Sequence, residues 1–217
     1  MGRLANAALG LVIALAAAVP SAAAAAQSSD PSRISIAEAN HMAGMLSAAQ
    51  SGDARAQYSL GLAYQCGLGV AKDAVQTITW LRKSAAQGYA EAQYMLGCCY
   101  NGEDGFAKDP SKAAVWWTKA AEQGHADAQF CLGLSYSMGE GVVKNAAEAA
   151  RWWTKAAEQG HADAQYFLGL SYSEGIGVPK LQKEAAYWLR KAEAHGNEYA
   201  TIELKKLGLD PVAPARN

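Results

Sequence analysis

Two histidines stand among carboxylates. His125 has Glu122 and Asp127 beside it, and His161 has Glu158 and Asp163. Imidazole and carboxylate at such spacing could ligate a metal or relay a proton. Both sets lie in one stretch written twice, WWTKAAEQGHADAQ, from Trp116 to Gln129 and from Trp152 to Gln165. The places matching these histidines elsewhere in the chain hold Asp53, Tyr89 and Asn197. A place that accepts tyrosine does not read as a ligand, and zinc needs three or four convergent donors. The other candidate is GLSYS, at Gly133–Ser137 and Gly169–Ser173. It resembles the G-x-S-x-G nucleophile elbow but lacks the last glycine and the strand before it. S-x-x-K, H-E-x-x-H, C-x-x-C and a phosphate-binding glycine loop are all missing. No catalytic residue, metal or cofactor is assigned.

The duplicated stretch belongs to a longer period. Gly52, Gly88, Gly124, Gly160 and Gly196 recur every 36 residues. Trp80, Trp116, Trp152 and Trp188 keep the same interval, as do Leu60, Leu96, Leu132, Leu168 and Leu204. The repeats are 53–88, 89–124, 125–160 and 161–196. Such a period is the signature of a helical-repeat array.

Each repeat reads as two helices. In the first repeat Gln57, Leu60, Gly61 and Tyr64 fall on one helical face. Gly67 and Gly69 then turn the chain, and Asp73 stands as N-cap of the second helix. Asp109 and Asn145 take that place later, whereas position 181 is Leu. Gly61 and Gly97 lie mid-helix at a cost of about 1 kcal/mol each against Ala. Close approach of the paired helices is expected to offset it. Trp80, Trp116, Trp152 and Trp188 are expected in the core, with Trp117 and Trp153 on the convex side or at a repeat junction. A single hairpin cannot bury its apolar face, so successive hairpins must stack. Ile36–Gln50 and Glu198–Leu207 read as capping helices.

The ends are of another kind. Residues 1–26 carry an early Arg3, an apolar run from Ala7 to Val19 and Ala24-Ala25-Ala26, the pattern of a secretory signal peptide. The expected location is periplasmic or secreted, with no membrane insertion after cleavage. Residues 27–35 read as a linker, 36–208 as the array and 209–217 as a tail. With 19 basic and 20 acidic residues and no basic cluster, nothing suggests a nucleic-acid partner.

The pattern A-x-x-x-L-G-x-x-Y, G-x-G-V-x-x-D, A-x-x-W-x-x-K-A-A-x-x-G resembles the Sel1-like repeat, a relative of the tetratricopeptide repeat. Ala128–Gly160 shows it best; Glu103 departs from it where Gly67, Gly139 and Gly175 stand. The resemblance implies an all-α, right-handed α/α solenoid that serves as a protein-interaction scaffold. Exported bacterial members are linked to envelope assembly, signalling and host contact.

Cys66, Cys98, Cys99 and Cys131 all lie on first-type helices. In an exported chain four cysteines suggest two disulfides. With the right-handed stacking that the resemblance implies, Cys66 is expected to meet Cys99, and Cys98 to meet Cys131. Cys66–Cys98 with Cys99–Cys131, or four buried thiols, are the alternatives.

The remaining candidate is a surface. On the concave side the fold would place Tyr58, Tyr94, Phe130 and Tyr166 as an aromatic ladder, with Leu62, Leu134 and Leu170 beside it. Arg55, Glu91, Asp127 and Asp163 would form a mostly acidic edge, and Gln65, Asn101, Ser137 and Ser173 polar contacts. Aromatic anchors with adaptable neighbours suit a protein or peptide partner. The competing reading is that the aromatics only pack between helices. Three function classes follow: a binding module, an envelope enzyme acting on β-lactams or peptidoglycan, and a regulatory scaffold subunit of an envelope complex.

Overall fold

Ten α-helices and one short 3-10 turn, with no strand, make up the described residues, 36–208 of the computed structural model. The expected signal peptide, linker and tail lie outside them. The helices are α1 Ile36–Gln50, α2 Ala54–Cys66, α3 Ala74–Ala86, α4 Ala90–Tyr100, α5 Pro110–Glu122, α6 Ala126–Met138, α7 Ala146–Glu158, α8 Ala162–Glu174, α9 Gln182–Ala194 and α10 Glu198–Lys206. The chain divides between Lys108 and Asp109 into two units. In the first, α1 to α4 pack each on the next; in the second, α5 to α10 do the same. The expected solenoid class is thus met: an all-α array of 36-residue hairpins.

Side chains at the helix starts satisfy the backbone donors that a helix leaves open. Asp73 accepts from the N–H groups of Val75 and Gln76, and Asn145 from those of Ala147 and Glu148. Asp109 caps α5 ahead of Pro110. Leu181 makes no such bond, so α9 starts uncapped. The first-type helices α2, α6 and α8 end in Gly67, Gly139 and Gly175 at φ 75°, 78° and 78°.

In the first, third and fourth hairpins the mid-helix glycine does what its cost requires. A Cβ on Gly61 would lie 2.9 Å from Leu81 Cγ, and one on Gly169 would lie 2.7 Å from Leu189 Cγ. At Gly133 it would strike the indole of Trp153. Trp153 therefore faces into its hairpin and not the convex side, and it meets Phe167 of the next repeat at 5.1 Å, the junction that the sequence also allows; Trp117, at the same place in its repeat, is also buried. Both stand where other repeats have Leu81 and Leu189. Trp80, Trp152 and Trp188 are core as expected, but Trp116 is only half-buried. The Lys119 ammonium lies 4.3 Å from the Trp116 ring centroid, an exposed-side cation–π contact. Leu60, Leu96, Leu132, Leu168 and Leu204 are fully buried, and each contributes about 1.5–3 kcal/mol of burial.

Candidate functional site

The predicted face splits into buried and accessible parts. Tyr58, Leu62 and Phe130 are buried. Glu91, Tyr94, Asp127, Leu134, Asp163, Tyr166 and Leu170 are half-buried, and Arg55 is exposed. The reason lies in the turn that opens the next repeat. The Tyr58 ring meets Tyr89 at 5.4 Å, and His161 stacks on Phe130 at 4.6 Å. Burial pushes the Tyr58 hydroxyl well above its ordinary pKa. At Tyr166 the following turn supplies Asn197 and no ring; the tyrosine meets Phe167 of its own helix at 5.5 Å and Tyr199 at 6.1 Å. The ladder thus packs at Tyr58 and Phe130, and Tyr166 stays partly open.

The acidic edge is drawn into the same joints. Asp127 Oδ1 lies 3.3 Å from His161 Nε2, and Asp163 Oδ1 accepts from Asn197 Nδ2 at 2.7 Å. The His161 hydrogen bond holds the Asp127 carboxyl below the usual aspartate range. His161 Nδ1 accepts from the Ala164 N–H at 3.2 Å, so the ring caps α8 with one nitrogen and donates to Asp127 with the other. Both positions are engaged, which leaves no lone pair for a metal. His125 caps α6 in the same manner. Among the described residues no group of three His, Cys, Asp or Glu side chains is placed to hold an ion.

A second set of contacts was not singled out from the sequence. Gln57, Gln93, Gln129 and Gln165 are all buried. Each donates its amide to a carbonyl near the end of the preceding second-type helix, at Ala49, Ala85, Ala121 and Ala157, over 2.9–3.1 Å. Their Oε1 atoms are met in turn: Gln87 donates to Gln57 and Gln159 to Gln129, and His195 Nδ1 lies 2.8 Å from Gln165. These amides close helix ends that burial would leave unsatisfied. Their 36-residue spacing was the available signal.

The four cysteines are thiols in this structure. Cys98, Cys99 and Cys131 are buried and Cys66 is half-buried. Burial, with Glu103 and Asp104 adding to it, pushes the Cys99 thiol up to about 12. Cys66 is raised by burial and then by Asp104. Neither carries the thiolate that nucleophilic catalysis needs.

Two depressions open on the second unit. One, of about 150 Å³, is lined by Trp153, Phe167, Leu170, Ser171, Glu174 and Ile176. The other, broader and shallower at about 600 Å³, lies along α9. No helix among the described residues is long and apolar enough to cross a membrane.

The profile of the Sel1 repeat matches residues 54–89, 90–125, 126–161 and 162–197, one residue beyond the repeat bounds read from the sequence. Among solved structures the chain is similar to c5321, a protective antigen of uropathogenic Escherichia coli strains displaying an SLR fold. Identity is 38% and the TM-score 0.74, over 78% of this chain and 37% of that one. It is also similar to a Sel1 repeat protein from Oxalobacter formigenes, with 37% identity and a TM-score of 0.72, over 78% of this chain and 50% of that one. The chain spans half or less of the length of these two relatives. No curated protein matches it.

Proposed function

The chain belongs to the Sel1-repeat family, and from that premise we propose that it is a non-enzymatic module that binds a protein or peptide segment on its first-type helices. The observation that carries this reading is the side-chain-sized depression at Leu170. Its walls, Trp153, Phe167 and Ile176, are apolar, Glu174 stands at the rim, and Leu134 and Tyr166 on the same helix faces are half-exposed. A volume of about 150 Å³ takes one leucine- or methionine-sized anchor. One apolar anchor with polar groups beside it is how a short segment gains affinity from a small area. Tyr58 and Phe130 serve packing and are not proposed as contacts.

The protein works outside the cytoplasm in this reading, in the periplasm or beyond, after loss of residues 1–26. The apolar run followed by Ala24-Ala25-Ala26 supports it. N-terminal sequencing of the protein from the envelope fraction should begin at Gln27.

For the binding surface, the mature chain is immobilised and bound envelope proteins are compared with those held by Leu170→Glu. The substitution should abolish capture of the proteins retained by the native chain while helicity stays the same. Equal capture by both would overturn the assignment of this face.

A further inference from the structure

We propose that the outer face of α9 is a second docking site, one that takes an extended acidic segment of a partner polypeptide carrying a glycine. The argument starts from what covers the matching face in earlier repeats. The loop of repeat three seats Gly141 on the α5 start, so that a Cβ there would overlap the Pro110 carbonyl. The loop of repeat four seats Gly177 on the α7 start, where a Cβ would overlap the Ala146 carbonyl. Under those loops Ala114 and Ala150 are fully buried. The matching residue on α9, Ala186, is only half-buried. The depression of about 600 Å³ lies there, floored by Gln182, Ala186 and Tyr187 and rimmed by Lys183, Arg190 and Lys191. It continues an interface the molecule already makes twice with a glycine-bearing loop.

Charge says what kind of segment fits. On the covered faces the matching places hold Ser111, Thr118, Lys119 and Glu122, and Ala147, Thr154, Lys155 and Glu158. Each set has one cation and one anion. On α9 the places hold Lys183, Arg190, Lys191 and Ala194, three cations and no anion. None of those cations has an ion pair among the described residues. Lys191 lies over the Tyr187 and Trp188 rings at 4.8 and 5.2 Å, so its charge stays at the rim. Tyr187 is 49% exposed and stands as the apolar anchor. Tyrosine and arginine side by side are the residue types that dominate binding energy at interfaces.

A further hairpin is a poorer fit. Position 205 matches Gly61, Gly133 and Gly169, where the second helix of a hairpin comes closest, and it is Lys. A lysine there holds off another helix, so the α9 face suits a loop or strand-like segment better than a packed hairpin.

The test uses the whole mature chain and a fluorescein-labelled peptide that copies residues 174–178, EGIGV, followed by two aspartates. Fluorescence anisotropy should show saturable binding that weakens with salt. It should fall at least tenfold with Arg190→Glu, which reverses the rim, and with Ala186→Trp, which fills the floor. Replacing the second glycine of the peptide by alanine should also cost at least tenfold. Helicity and melting of both protein variants check that they fold; Lys183→Glu is the substitute should Ala186→Trp not. Absence of saturable binding, or binding indifferent to these changes, overturns the proposal. So does a seat already filled: Lys183 and Tyr187 protected from covalent labelling in a monomer, which would point to residues 209–217, or protected in a dimer, which would point to a second copy. The Leu170→Glu variant should bind this peptide like the native chain, so the two surfaces fail or stand separately.

Discussion

The loop of repeat two and the loop of repeat four begin from nearly the same sequence plan and end differently. In repeat four α8 runs 13 residues to Glu174, Gly175 turns the chain, and Gly177 fits against the α7 backbone. In repeat two Glu103 stands where Gly175 would be, and α4 stops after 11 residues at Tyr100. Gly102 makes the turn instead, at φ 90°, and a single 3-10 turn follows. Within it Asp104 is held at φ 50°, with its carboxylate accepting from Gln65 Nε2 at 2.6 Å. Gly105 then has open space around it. One glycine displaced by one residue changes the helix end, the loop path and what the loop touches. Repeats of one period are interchangeable in their helices, not in their loops.

The sharpest way to break this contrast is an alanine in each loop. Gly177→Ala meets both a left-handed backbone and the Ala146 carbonyl, and should cost at least about 3 kcal/mol. Gly105→Ala meets only the backbone preference and should cost about 1 kcal/mol. Denaturant melts of the two variants decide, and equal losses would remove the distinction.

The cysteines near the repeat-two loop sharpen it. Should the oxidised protein carry the Cys66–Cys99 bridge expected from the sequence, its reduction should cost about 3–4 kcal/mol. Peptide mapping without reductant must then join those two residues; a Cys66–Cys98 peptide rules the pairing out.

Capping gives a smaller, two-sided effect. Asn145→Ala should destabilise, and Leu181→Asn should stabilise, each by about 1 kcal/mol in thermal unfolding. The last effect depends on pH. Burial raises the Glu103 carboxyl above its ordinary range, with the Cys98 hydrogen bond opposing it. A carboxyl whose folded pKa is raised adds stability while protonated, and loses that contribution as pH rises through the folded value. Glu103→Gln should therefore flatten the acid side of the stability profile and raise stability at neutral pH by less than about 1 kcal/mol. Asp127→Asn should lower stability at neutral pH and remove the part of the acid-side loss that Asp127 contributes. The His161 contact is present above the ordinary aspartate pKa and lost as pH falls through the lowered one.

Residues 36 apart declared the helices, the caps and the buried leucines, because those depend on position within a hairpin. The binding face was less legible. Phe130 and Tyr166 share a helical angle, yet one is covered by His161 and the other is not covered by Asn197. Their exposure is decided by a side chain in the following turn, which helical periodicity does not weigh. For Trp153 the sequence leaves the convex side and a repeat junction open, and the ring meets Phe167 of the next repeat at 5.1 Å. The column Leu81, Trp117, Trp153, Leu189 marks the position facing the mid-helix glycine, and reading Trp153 beside Trp152 hid it. The short α4 needed the fate of Gly102, which Glu103 alone does not announce.

The fourteen residues that the chain writes twice, Trp116–Gln129 and Trp152–Gln165, straddle a joint between hairpins and do not fill a hairpin. Each copy brings its own glutamine, and the carbonyl that glutamine binds, Ala121 or Ala157, lies inside the same fourteen. The adhesive is therefore packaged with its own surface. A whole 36-residue unit added at such a joint would find its seat already made, so the array can grow without a new kind of contact.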